Sequence, residues 1–130
     1  MSPSHLVVLA IAGGAGCALR VLARDALMRR GTHPWWSTCI VNLSGACAVG
    51  LLAGLLSTRG ADSMRGAALA ATGFLGGWTT FSAFSMDVVQ LWLRGSRVHA
   101  AVLWAATMLG TPLVALAAAV VGRSVTGGPR

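Results

Sequence analysis

Residues 73–85 read GFLGGWTTFSAFS, a crowding of glycines and hydroxyls inside a long apolar stretch. Gly76 and Gly77 weaken a helix by about 1 kcal/mol each relative to alanine. Non-helical backbone is tolerated at membrane depth only where protein or a watery cavity covers it. A helix broken here would free carbonyls able to hold a cation and N–H groups able to hold an anion. Thr79, Thr80 and Ser82 add hydroxyls, and Phe81 and Phe84 add rings with electropositive edges. A glycine-lined helix crossing explains the same glycines, and ordinary packing explains the same phenylalanines, so residue type alone leaves both readings open.

Other polar residues lie inside apolar runs. Asn42 needs partners in hydrocarbon, and its NH₂ group is a good anion donor. An interhelical hydrogen bond would satisfy it equally well. Thr107 and Thr111 are one helical turn apart on one face, where threonines often bond back to their own carbonyls. Arg20 is the only arginine well inside an apolar segment, where it either snorkels to the surface or raises the potential at a pore mouth. Nothing resembles an enzyme: the acids are Asp25, Asp62 and Asp87, and His5, His33 and His99 lie near segment ends. Cys17, Cys39 and Cys47 form no C-x-x-C and are odd in number, which supports neither a disulfide framework nor a zinc site.

The elements that must position these residues are membrane helices. Of 130 residues, 55% are hydrophobic and 10% charged, against roughly 25% charged in a soluble domain. Apolar segments cover about 6–22, 35–56, 67–93 and 98–121, each long enough to cross a bilayer core as a helix. A single four-helix transmembrane domain, all-α, is the expected fold. No secretory signal peptide is evident, since no basic region precedes Leu6. The net charge of +7 comes entirely from arginines beside or between the spans, which reads as membrane capping rather than nucleic-acid binding. Gly50 with Gly54, Gly73 with Gly77, Ala106 with Gly110 and Ala118 with Gly122 repeat the small-x-x-x-small spacing of close helix crossings. Arg59, Arg65, Arg123 and Arg130 would face one side and Arg24, Arg29, Arg30, Arg94 and Arg97 the other, a balance that hardly selects an orientation.

Three stretches together resemble the Fluc/CrcB fluoride-channel family: residues 73–84, residues 13–16 followed by Arg20, and residues 41–45 around Asn42. The first is highly specific, and the likeness covers essentially the whole chain in order. The resemblance implies a fluoride-selective channel that exports fluoride passively across the bacterial inner membrane and lowers its cytoplasmic concentration. It implies an antiparallel, dual-topology homodimer with two pores and a third helix broken near Gly76 to Thr79. A structural sodium ion would be held there by main-chain carbonyls of both subunits, with Gly76 and Thr79 at the matching positions. Asn42, Phe81 and Phe84 match the family's fluoride path, joined by Thr80 and Ser82 and by Thr107 and Thr111 on the fourth helix. Arg20 matches the arginine at the pore entrance.

Four features depart from the family pattern. Val21 replaces an aromatic residue, Ser37 replaces a glycine, no tyrosine is present, and Pro112 follows Thr111 directly, where it would kink the helix. A small dual-topology multidrug transporter is the first alternative, and it would need a carboxylate in a span; Asp87 follows the motif without an evident cavity. A non-transporting assembly subunit is the second. One chain leaves open a pairing with a second, different subunit.

Overall fold

The computed structural model describes residues 3–59 and 65–126. Among these, all regular structure is helical: α1 (Pro3–Arg29), α2 (Pro34–Arg59), α3 (Arg65–Trp78), α4 (Phe81–Leu93), α5 (Arg97–Met108) and α6 (Gly110–Thr126). Three stretches are long and apolar enough to cross a membrane: Pro3–Arg29, Pro34–Ser57 and Arg97–Thr126, the last combining α5 and α6. Leu6, Ile11, Leu113 and Leu116 are all more than half exposed, as side chains that face lipid rather than water would be. This is a multi-pass membrane protein.

Local chemistry sets the ends of the helices. α1 and α4 both stop on a glycine in the left-handed region, Gly31 (φ 86°) and Gly95 (φ 79°). At each, the next residue's N–H reaches back five positions: Thr32 to the Leu27 carbonyl (3.1 Å) and Ser96 to the Leu91 carbonyl (2.9 Å). Pro34 opens α2, where its missing N–H costs nothing. Pro112 has the opposite effect. It cannot donate to the Met108 carbonyl, and Leu109, at the junction, separates α5 from α6. The last span is therefore interrupted just before Pro112.

Small residues decide which helices touch. A Cβ on Gly50 or Gly54 would collide with the main chain of Ala115 or Ala119, so α2 and α6 meet backbone to backbone. Gly77 meets the Gly13 carbonyl and Gly16 the Phe74 carbonyl in the same way, fixing α3 against α1. Such approach replaces the hydrophobic drive that lipid does not supply. Cys39, Phe84 and Leu103 form a buried apolar centre between α2, α4 and α5, flanked by Trp35, Leu43 and Val88.

Candidate functional site

The site is built on Thr79 and Thr80, which lie between α3 and α4 and belong to neither helix. Thr80 is extended (φ −151°, ψ 121°), and its hydroxyl caps α4 by accepting from the Ala83 N–H (3.2 Å). Its own peptide groups turn to Asn42. The Asn42 Nδ2 donates to the Thr80 carbonyl (2.9 Å), and the Thr80 N–H donates to Asn42 Oδ1 (2.8 Å). Asn42, only 6% exposed, thus behaves like a short piece of β-ladder that satisfies a peptide unit no helix can satisfy. Next to it, the Trp78 indole N–H reaches the Val41 carbonyl and the Ser44 hydroxyl, both at 3.0 Å. Gly76 and Gly77 remain inside α3.

Two clefts meet at Thr80. One of about 440 Å³ is lined by Asn42, Thr79, Phe81, Thr107 and Thr111 along with Thr80, so most of the residues singled out in sequence converge there. The other, about 720 Å³, is lined by Arg20, Arg24, Thr80, Ser82 and Met86 among others. Phe81 is 69% exposed and Phe84 only 3%, with ring centroids 5.6 Å apart. Phe84 and Gly76 line neither cleft.

The hydroxyls differ in what they can still donate. Thr79 donates to the Leu75 carbonyl (3.1 Å) and Thr111 to the Thr107 carbonyl. Thr107 reaches only the Cys39 sulfur, at 4.0 Å, so its hydrogen is the least committed. Thr80 and Ser82 share one bond of 3.3 Å. Asn42 keeps one amide hydrogen beyond the one given to Thr80. The Arg20 guanidinium donates to the Cys17 sulfur (3.0 Å), and the Nε atoms of Arg20 and Arg24 are buried without a partner.

Residues 7–123 match the model of the CrcB-like protein family, "Camphor Resistance (CrcB)". The chain belongs to this family. Among its CrcB-like relatives, the fluoride-specific ion channel FluC of Chelativorans sp. (strain BNC1) is 38% identical over 122 residues, covering 93% of this chain and 98% of the relative. FluC of Sphingopyxis alaskensis is 37% identical over 112 residues, covering 85% of this chain and 88% of the relative. FluC of Paracoccus denitrificans is 43% identical over 88 residues, 68% of this chain and 66% of the relative.

One polar residue of this CrcB-like chain was undervalued in sequence. Asp87 does line a groove, together with His33, Gln90 and Arg94. Its carboxylate accepts from the Thr38 hydroxyl at 2.6 Å and lies 4.0 Å from Arg24. An acid within an apolar span is itself a signal of such partners.

Proposed function

We propose that this chain forms a fluoride-selective channel that lets fluoride leave the cell passively. The observation that carries this reading is the cleft at Thr80. It gathers an amide, hydroxyls and a phenyl ring in a chain whose relatives are named fluoride-specific ion channels. Fluoride is small and strongly hydrated, and its shell must be replaced by donors that come close. The free amide hydrogen of Asn42, the Thr107 hydroxyl and the edge of Phe81 are such donors. Arginines line the larger cleft and are absent from the lining of this one. A fixed cation beside the ion would trap it, whereas neutral donors let it leave. Arg20 serves better at the entrance, where it raises the local anion concentration.

The same reading makes the working unit an antiparallel homodimer, with α3 and α4 together forming one broken crossing. An exposed Phe81 on an open cleft suits a pore wall that a second copy completes. The family's sodium ion fits the donor set at the break. Because Thr80 gives its N–H to Asn42, the Gly76 carbonyl loses its helical donor, and Gly76 is exposed on the outer face of α3. Neutral carbonyls of Gly76 and Thr79 are ligands for a hard cation. When bound, the ion would hold two copies together at their breaks.

The test is fluoride efflux from liposomes holding only this chain. Efflux should proceed without a sodium or proton gradient, and Phe81→Ile should slow it by at least about tenfold, or roughly 1.4 kcal/mol on the barrier. Phe84→Ile should slow it comparably if its ring edge turns to the path. Wild-type efflux through a well-folded Phe81→Ile would return the ring to packing, and no efflux at all would refute a channel made of this chain alone. Cysteines introduced at 30–33 of a cysteine-free chain should label from both sides of the membrane. Labelling from one side only would favour pairing with a different subunit.

A further inference from the structure

α1 and α4 end, and α2 and α5 begin, at one end of the bundle. A groove of about 300 Å³ lies there, walled by His33 and Trp35, by Gln90 and Arg94, and by Ser96 and His99. We propose that this groove binds the phosphodiester of an anionic phospholipid, with Arg94 as its principal ligand.

The depth is right for a headgroup. The apolar runs of α2 and α5 start at this level, and Trp35 lines the groove with Trp36 stacked on it, as aromatic side chains do at a membrane–water boundary. Trp35 stacks on Trp36 (4.7 Å between centroids) and meets His99 in a T-shaped contact (5.5 Å), which gives the groove an aromatic wall. Leu93 and Val98, next in sequence to the groove residues Arg94 and His99, are 79% and 74% exposed and offer acyl chains an apolar surface.

The chemistry is right for a phosphate. Arg94 forms no ion pair among the described residues, whereas Arg24 and Arg29 each have an aspartate. Its planar guanidinium suits two phosphate oxygens at once. Ser96, at the N-cap of α5, makes no side-chain cap bond, so its hydroxyl stays available, while the Arg97 N–H is already given to the Gly95 carbonyl (2.9 Å). Asp87 is the one acid in the lining, and its Oδ2 is already met by the Thr38 hydroxyl and by Arg24. Arg29, Arg30 and Arg97 lie at the same end and add a field that draws anionic lipid toward it. Arg97 is held over the Trp92 ring at 5.3 Å, which leaves Arg94 to face the groove.

The inference does not depend on fluoride conduction, because lipid retention and ion flux are read separately. Native mass spectrometry of the full-length protein, with phosphatidylglycerol or phosphatidylcholine added, should show phosphatidylglycerol retained selectively. Arg94→Gln should lower that retention by about fivefold, the effect of removing one cation at the membrane surface, while Arg29→Gln at the same end should leave it within about twofold. If Arg94→Gln does not yield monodisperse protein, Ser96→Val and His99→Gln carry the same expectation. Equal loss in Arg29→Gln and Arg94→Gln would reduce the effect to diffuse attraction and overturn the site. So would the absence of any preference between the two lipids. Displacement of the lipid by millimolar glycerol phosphate would overturn it too, by making the groove a site for soluble phosphate.

Discussion

Gly76 and Gly77 are neighbours in sequence and opposites in structure. A side chain at Gly77 would strike the Gly13 main chain, while one at Gly76 would meet nothing within 4 Å. Gly77 belongs with Gly16, Gly50 and Gly54, where two helices are joined by the absence of side chains. Gly76 keeps an open face inside α3, just before Thr79 and Thr80, where Asn42 and Trp78 hold main chain to side chain through directed hydrogen bonds. The crossings tolerate no added atom but demand no particular chemistry. The segment at Thr79 and Thr80 depends instead on one amide having both a donor and an acceptor.

The most damaging change should be at a crossing. Gly77→Leu overpacks α3 against α1 and should destabilise by about 3 kcal/mol or more. The expected result is little or no monodisperse protein on size exclusion, and a wild-type profile would mean that this crossing opens more easily than its geometry indicates. Next comes the clamp. Asn42→Ala strands the Thr80 N–H and carbonyl, at about 1–3 kcal/mol for each buried group. Asn42→Asp keeps an acceptor for the N–H but sets a carboxylate against the carbonyl, so it should recover only part of the loss in thermal unfolding. Wild-type stability in Asn42→Ala would show that the break holds itself. Trp78→Phe removes one donor with two acceptors and should cost about 1.5 kcal/mol, measured the same way. The smallest effect is expected at Gly14, which also has open space around it. Gly14→Ala should stabilise α1 by no more than about 1 kcal/mol. A loss there would mean that a second copy presses on that face, which would sharpen the dimer reading.

Three of the spans were legible because an apolar run of that length has few other uses, and the crossings because small residues four apart leave a regular mark. Their pairings were not legible. Nothing in Gly50 and Gly54 names Ala115 and Ala119 rather than another small-residue face, since all such stripes look alike. Pro112 announced the interruption between α5 and α6 because a missing N–H acts locally. Asn42 announced only that it needed partners. That both its amide atoms go to Thr80, 38 residues away, follows from how α2 lies against α3 and α4, which no short window contains. Asp87 was passed over for the same reason, since Thr38 and Arg24 reach it from other helices.

The bond between Thr80 and Ser82 has two equivalent directions. Either hydroxyl can donate to the other. Whichever does so leaves the other hydrogen free to point into a cleft, so the pair offers one outward hydrogen at a time. Exchanging the roles needs only rotation about two C–O bonds, a picosecond-to-nanosecond event, with the oxygens left in place. Thr80 borders both clefts and Ser82 only the larger. The pair is therefore a reversible dipole at the meeting of the two clefts, able to change polarity while the heavy-atom framework stands still.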